Sequence, residues 1–491
     1  MRILGKRTRS TGASNSAGNA FSWSLANTLV SRLGTLGIGI VLARVLGPEQ
    51  FGTFAIALVA LMAVLSFNEL GVSLAIVRWP SDPALIASTV NTLSVVGSAV
   101  FCTISWFAAP RFTELMGEPE ATGVVRILIL SVLLNGLVAG PAALLQRAFE
   151  ERTRMVIDQV NVWVGAILSV VLALVGLGAM ALAIGRLAGG LISAVMFLKT
   201  SPLKYRFGWN RNHALELIKF GLPLAGSSVI VFAVGYADQL VVGATLGSVA
   251  LGFYVLAFNL SSWPLNIISQ PLRRVAPAAF SAIQHDQVRL RQAITSLSKV
   301  LASATIPAFL AISAVAHPLI IFVYGEPWIP AAQILSWLVI AALSKVYNEL
   351  VYDYLVVVGR TKNVLIIQLV GLGVLIPALW IGAMLAGMVG VACAYAVVSV
   401  VILLPVYLWQ LRGGGVGIGT ILRQLYLPLL AGGFVWAGCS LATNFITLPL
   451  LALSIAGMWS LLIMALLLVN CRNEVGQIRK ISRTESLETS I

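Results

Sequence analysis

Long apolar runs dominate the chain, and short polar or glycine-rich segments separate them. A membrane-spanning helix needs about 20 mainly apolar residues, and fourteen stretches of the chain meet that requirement. We predict spans at residues 20–46, 51–77, 85–110, 124–147, 157–176, 177–198, 215–243, 249–270, 295–324, 330–358, 364–384, 386–410, 420–443 and 447–470. The pattern predicts an all-α integral membrane protein, in which the breaks near residues 176 and 385 rest on short glycine-containing turns.

Composition supports a protein that lies mostly within a membrane. Hydrophobic residues make up 59% of the 491 residues and charged residues only 10%, whereas soluble domains carry roughly 25% charged residues. The four cysteines and three histidines are scattered and form no CxxC pair, so the sequence predicts no metal site, no disulfide framework and no cofactor. The first apolar run is too long for a signal-peptide core and contains Arg32, so we interpret it as a retained span.

The net charge of +14 is distributed as a topology signal. With a cytoplasmic N-terminus, most basic residues fall in the predicted inside segments, and only Arg111 and Arg126 fall outside. An even number of spans then places the C-terminus in the cytoplasm as well. Because the loops account for the charge, no nucleic-acid partner is expected. Four basic residues lie inside predicted spans: Arg32, Arg44, Arg186 and Lys345.

An internal repeat relates the two halves of the chain. "VLARVLGPEQFGTFAIA" (41–57) aligns with "VVGATLGSVALGFYVLA" (241–257), pairing Gly47 with Gly247 and Gly52 with Gly252. Six spans separate the copies, so the repeat is parallel, with its axis along the membrane normal. We predict two parallel pseudo-symmetric six-helix bundles followed by two further helices. The predicted segments are a cytoplasmic tail (1–19), an N-terminal bundle (20–198), a cytoplasmic linker (199–214), a C-terminal bundle (215–410), two additional helices (420–470) and a cytoplasmic tail (471–491).

The same motifs resemble a known family. "LARVLGPEQFGTFAIA" followed by "ELGVSLAIVR" (69–78) resembles the opening of the polysaccharide transporters, and "YADQLVVGATLGSVALGFYVLA" (236–257) resembles their second-half signature. These O-antigen-type flippases share a superfamily with multidrug-and-toxin exporters and the peptidoglycan-lipid flippase. The resemblance implies alternating-access transport of undecaprenyl-pyrophosphate-linked oligosaccharide repeat units across the bacterial inner membrane, for O-antigen, capsule or exopolysaccharide synthesis. Lipid-linked oligosaccharide and membrane lipids are the implied partners, with polymerase and chain-length machinery as further candidates.

The two arginines of the first span have different expected roles. Arg32 lies about halfway along the span, too deep to reach the interface cheaply, so it should face an anionic-substrate cavity or an acidic partner. Arg44 lies about 18 Å further along the helix. It can reach the outer interface, and we expect it to anchor the helix and close the turn, although a cavity role is the alternative.

Span 10 carries a charged stripe. Lys345, Glu349 and Asp353 lie at i, i+4 and i+8, and Tyr352 flanks them. Carboxylates can bond sugar hydroxyls and an aromatic ring can cover sugar C–H surface, so we list these four residues as substrate-binding candidates. A structural Lys345–Glu349 pair is the alternative.

Asp238 and Arg186 are the remaining intramembrane candidates. Asp238 lies in the second repeat and can pair with Arg32, bind substrate or a coupling cation, or have a satisfied local role. Arg186 lies within "IGRLAGG", where small residues suggest close helix packing, and its charge fits either a cavity or a structural role. No catalytic or metal-binding residue is predicted.

Two other classes of function compete with the flippase hypothesis. A multidrug exporter of the same superfamily should have a cavity poor in basic residues, which Arg32 and Lys345 disfavour. A membrane enzyme needs a sizeable outer loop or an exposed acidic motif, and neither is present, so we expect no enzyme activity. The chain also lacks a GxxxxGK[ST] loop. Transport energy should therefore come from an H⁺ or Na⁺ gradient or from downstream consumption of the product.

Overall fold

The computed structural model describes residues 13–68, 72–79, 82–283, 286–414, 416–446, 448–474 and 476, with side chains outside the description at 13–36, 68, 266–279, 282, 413 and 414. The described part is almost entirely helical. Its helices are α1 (Ala13–Asn68), α2 (Val72–Arg78), α3 (Ala84–Leu115), α4 (Thr122–Arg147), α5 (Glu151–Leu174), α6 (Ala179–Thr200), α7 (Arg211–Ala282), α8 (Gln287–Ala314), α9 (Ala316–Tyr324), α10 (Pro330–Val357), α11 (Thr361–Val397), α12 (Leu404–Gln410), α13 (Ile418–Phe445) and α14 (Pro449–Asn470).

The predicted membrane architecture is confirmed. Among the described residues, eleven helical stretches are long and apolar enough to span a membrane. Three of these stretches contain a backbone break and form two spans each, at Gly47 in α1, at Gly247 in α7 and at Ala386–Gly387 in α11. The predicted turn near residue 176 is also present, because Gly176 and Gly178 adopt positive φ between α5 and α6.

Several helix boundaries differ from the hydropathy pattern. The second span ends at Asn68, and the short helix α2 follows separately; the ninth span ends at Ala314, before α9. The segment 271–294, between the eighth and ninth predicted spans, contains the end of α7 and the start of α8. The Asp286 side chain caps α8 by accepting hydrogen bonds from the Val288 and Arg289 amides. Hydropathy detects an apolar surround and not the helix itself, so it misses helical turns beyond an apolar stretch and helix ends that fall within one.

The helices pack around two main apolar cores. One core joins α1 and α3 to α4, α5 and α6, and the larger core joins α7, α8, α10 and α11. The last two helices attach at the outside of the second group, where Val435 of α13 and Ile463 of α14 pack against Val315 at the end of α8. Large exposed apolar side chains such as Phe107 and Met384 lie on the outer surface, as expected for helices that face lipid.

Candidate functional site

The two repeats form equivalent turns at one end of the molecule. Gly47 has φ 70° and ψ 175°, and Gly247 has φ 82° and ψ −176°. This conformation is open to glycine at little cost, whereas side chains rarely adopt it. We call this end of the molecule the motif end, and the opposite end, where residues 201–210 connect the two groups of helices, the linker end.

The second glycine of each motif allows the two repeats to touch. A Cβ atom on Gly52 would collide with the Ser248 carbonyl, and a Cβ on Gly252 would lie 2.8 Å from the Pro48 carbonyl oxygen. Ser248 and Pro48 are themselves equivalent at the 200-residue offset. The contact is therefore symmetric, which supports the parallel repeat, and it closes the motif end between α1 and α7.

Arg44 strengthens this closure from the side. Its Nε donates a hydrogen bond to the Val323 carbonyl at 2.8 Å, and its Nη2 donates one to the Phe322 carbonyl at 2.6 Å. These carbonyls lie in the last turn of α9, where a cation is stabilised by unpaired carbonyl oxygens and by the helix dipole. Arg44 thus joins α1 to the C-terminal group of helices.

A buried tryptophan completes the contact. Trp328 is 1% exposed, and its Nε1 donates a hydrogen bond to the Ala43 carbonyl at 3.2 Å. Its ring packs edge-on against Phe51 of the first repeat and Phe253 of the second. We refer to Arg44, Gly52, Ser248, Gly252 and Trp328, with their contacts, as the motif-end junction.

A polar cavity lies within the N-terminal group of helices. It has a volume of about 440 Å³ and is enclosed by α1, α4, α5 and α6. Its polar lining residues are Ser131, Asn135, Asn161, Ser169, Arg186 and Ser193. Arg186 forms no hydrogen bond or ion pair with other described residues, and it lies close enough to Tyr236 of α7 for an electrostatic interaction. The described lining residues therefore include one positive charge, and Arg186 lies near α7 of the C-terminal group.

Asp238 lies in a satisfied local network inside the C-terminal group. It is 1% exposed, accepts a hydrogen bond from the Tyr254 hydroxyl at 2.9 Å and accepts another from the Gln239 amide at 2.9 Å. Lys345 and Tyr395 also interact electrostatically with this carboxylate. Tyr236 interacts with both Asp238 and Arg186, so it links the two charged regions across the boundary between the helix groups.

The charged stripe of α10 divides between two environments. Lys345 is exposed, Glu349 and Tyr352 are half-buried, and Asp353 is 7% exposed. Eight residues rotate by about 80° beyond whole turns of an α-helix, so Asp353 points into the packed core while Lys345 faces open space near Asp238. The side chain of Arg32 lies outside the described residues.

The sequence analysis did not single out several polar residues that the fold brings to these sites. Tyr254 and Tyr395 surround Asp238, and Asn135 and Asn161 line the Arg186 cavity. A usable signal was present for the asparagines, since each interrupts an otherwise apolar span. Within the described part of the chain, no group of three or more His, Cys, Asp or Glu side chains can hold a metal ion.

A family model for polysaccharide biosynthesis proteins matches residues 41–333, a region that includes both copies of the repeat. The chain belongs to this family. It is 26% identical to the succinoglycan biosynthesis transport protein ExoT of Rhizobium meliloti, over 65% of this chain and 65% of ExoT, slightly less than two thirds of the relative. It is 24% identical to the lipopolysaccharide biosynthesis protein WzxC of Escherichia coli, over 83% of this chain and 82% of WzxC.

Solved structures show the same fold. The lipid II flippase MurJ in an inward closed conformation superposes with a TM-score of 0.77, at 16% identity, over 93% of this chain and 99% of MurJ. An inward-facing multidrug resistance transporter of the MATE family superposes with a TM-score of 0.61, at 16% identity, over 80% of this chain and 96% of that chain. The protein is therefore a member of the polysaccharide biosynthesis family, and it has the fold that these two solved structures share.

Proposed function

We propose that the protein is a flippase for oligosaccharide repeat units linked to polyprenyl pyrophosphate, in the bacterial inner membrane. Membership of the polysaccharide biosynthesis family supports this function, as do relatives named for succinoglycan, lipopolysaccharide and teichuronic acid biosynthesis. The observation that carries the proposal is the pair of intramembrane cations, Arg186 in a polar cavity and Lys345 in open space, within a fold closed at one end. Such cations suit an anionic, hydroxyl-rich cargo.

The basic loops favour a cytoplasmic linker end and cytoplasmic termini. In that orientation the motif end faces the periplasm, and the motif-end junction closes the outer side. The protein then receives its cargo from the cytoplasmic side. Transport requires the symmetric contact of Gly52 with Ser248 and of Gly252 with Pro48 to separate, since these residues hold α1 against α7.

The remaining roles follow from the placement of the charged groups. Arg32 and Lys345 are proposed to hold the pyrophosphate, while Glu349 and Tyr352 are proposed to contact sugars. Asp353 points into the packed core, so we do not place it against the cargo. The hydrogen bonds of Asp238 favour a local role, and binding of a coupling H⁺ or Na⁺ is a second proposal for it. The lipid tail stays in the bilayer, no chemical conversion of the cargo is involved, and the polymerase and chain-length machinery are proposed to receive the product.

The test is the leaflet distribution of a radiolabelled lipid-linked repeat unit in a strain that lacks the gene. We expect the unit to accumulate in the cytoplasmic leaflet, and we expect the wild-type chain to restore export. Transfer to the outer leaflet at the normal rate without the gene would contradict the proposal.

A second candidate function is export of cationic drugs, because the fold is shared with a MATE transporter. Two interior cations disfavour it, since they repel cationic cargo. Raised drug resistance in an expressing strain, without any effect on the lipid-linked unit, would favour this alternative.

A further inference from the structure

The Arg186 cavity has the size and the lining of a small-ligand pocket. Its volume of about 440 Å³ lies within the usual range of about 300–1,000 Å³ for such pockets. The apolar part of its wall comes from residues such as Phe54, Leu61 and Leu182. The polar part consists of asparagine amides and serine hydroxyls, which can both donate and accept hydrogen bonds. This combination suits a ring that carries several hydroxyl groups.

The charge of the pocket is unbalanced. Among the described residues, no aspartate or glutamate lines it and Arg186 forms no ion pair. An arginine within a membrane span is costly unless it faces water or an anion. A purely structural arginine would be expected to have a carboxylate or a set of carbonyl oxygens around it, as Arg44 has at the motif end. The missing partner is therefore expected to be a ligand.

The described lining of the pocket provides one positive charge and otherwise neutral groups, which limits the anion that it can neutralise. A pyrophosphate carries at least two negative charges near neutral pH, so one would stay uncompensated in a site of low polarity. A carboxylate carries one charge, and its two oxygens match the planar guanidinium in a bidentate pair. The balance of charge favours a carboxylate over a pyrophosphate.

Close helix packing holds the pocket wall in place. A Cβ atom on Gly189 would collide with the Asn161 carbonyl, so α5 and α6 can approach closely only because that position is glycine. Asn161 and Arg186 are carried by these two helices, and both line the cavity. A wall formed by packed helices favours recognition of one sugar shape.

We propose that this pocket binds one carboxylate-bearing sugar residue of the repeat unit, with Arg186 pairing with the carboxylate and the asparagines and serines contacting the hydroxyls. The inference rests on the proposed function and extends it, because it assigns an acidic sugar to the N-terminal group of helices and leaves the pyrophosphate to other cations. Arg186 is then a residue that determines specificity for the cargo.

The test is binding of defined probes to the purified full-length protein in lipid nanodiscs. The probes are a disaccharide that contains glucuronic acid, the neutral methyl ester of the same disaccharide, and inorganic pyrophosphate. We expect the acidic disaccharide to bind about tenfold more tightly than its ester, and we expect pyrophosphate not to displace it. Equal affinity for acid and ester, displacement by pyrophosphate, or no binding of the acidic disaccharide would overturn the inference.

Variants test whether the preference for the acid over the ester arises in the pocket. Arg186→Gln should remove the difference between acid and ester, and Arg186→Lys should retain part of it. Asn135→Asp keeps the arginine but adds a carboxylate to the same cavity, so it should also abolish the preference, even if Arg186→Gln fails to fold. Arg126→Gln is the matched control, because Arg126 of α4 stacks on Trp106 and does not line the cavity. An unchanged acid preference in a folded Arg186→Gln or Asn135→Asp variant would overturn the inference.

Failure of this inference is distinguishable from failure of the proposed function. If the wild-type chain moves lipid-linked units to the outer leaflet but shows no acid preference, only the assignment of the pocket is wrong. If lipid-linked units cross normally without the gene, the proposed function is wrong whatever the probes do.

Discussion

Replacing Arg44 with glutamine should weaken closure of the motif end. The wild-type side chain donates two hydrogen bonds to the last-turn carbonyls of α9, and these bonds join helices from the two halves of the chain. Only the closed arrangement is expected to contain these bonds, so their loss should destabilise the closed state relative to the open one.

The magnitude follows from the exposure of the group. A hydrogen bond contributes about 0.5–1.5 kcal/mol in net terms, and a cation at a helix C-terminus contributes about 0.3–1 kcal/mol. Arg44 is exposed, so solvent screening reduces both values. We therefore expect a total near 1.5 kcal/mol, which corresponds to roughly a tenfold shift of the open-to-closed ratio.

Spin labels can measure this shift directly. Cysteines introduced at Val175 and Glu326, both exposed at the motif end, place one label in each half of the chain once the native cysteines are replaced. In lipid nanodiscs, Arg44→Gln should increase the population at long distance, and Arg44→Lys, which keeps the charge, should give a smaller increase.

Arg111→Gln is the matched control, because Arg111 pairs only with Glu114 on its own helix and is exposed at the same end. The reasoning is refuted if the distance distribution of Arg44→Gln equals that of the wild type, or if Arg111→Gln shifts it as much.

Three further changes test other parts of the structure. Gly252→Val should hold the motif end open, because its side chain would collide with the Pro48 carbonyl. Labelling of a cysteine introduced at Val175, at that end, should therefore rise. Gly226→Ala should leave the labelling unchanged, because that position has open space around it. Tyr254→Phe should lower the free energy of unfolding by about 1–3 kcal/mol, since it removes a hydrogen bond from a buried carboxylate. Calorimetry should show a lower Tm for this variant. Tyr426→Phe should leave the Tm unchanged, because Tyr426 is 65% exposed. Burial alone would raise the pKa of Glu474, but its hydrogen bond and charge interaction with Lys299 lower that pKa below its usual range. This contact should therefore persist at neutral pH and weaken as pH falls through the lowered pKa. Protection of the end of α14 from hydrogen exchange should then fall in acid, and Glu474→Gln should show the loss already at neutral pH.

Much of the fold could be predicted from local pattern. The fourteen apolar runs and the breaks near residues 176 and 385 follow from the needs of a helix in lipid, where every backbone group must be paired within its own segment. The 200-residue repeat also indicated which glycines are equivalent, because Gly47 and Gly247 must both adopt a conformation that other residues rarely reach. Helix ends such as Ala282 and Ala314 were harder to predict, since α7 continues beyond its apolar stretch and α8 ends within one.

The candidate site could be predicted only in part, because sequence patterns are local and do not identify distant neighbours. The charge and the position within a span placed Arg44 near a turn and Arg186 inside a span. Neither property predicts which residues lie around these arginines. Arg44 donates hydrogen bonds to α9, which lies almost 280 residues away in the chain. Arg186 lines the same cavity as Asn135 and Asn161, which come from two other helices.

The sequence by itself therefore determined the helical membrane class, the number of spans and the repeat, because these depend on apolar length and on backbone conformations that are local in the chain. Only the tertiary structure decided that the repeats meet through Gly52 and Gly252, that Asp238 is satisfied by Tyr254 and that Arg186 lies in a cavity whose described lining has no carboxylate. Those properties depend on which helix faces lie against each other, and in a chain where most faces are apolar, hydrophobicity alone does not select the partner of each face.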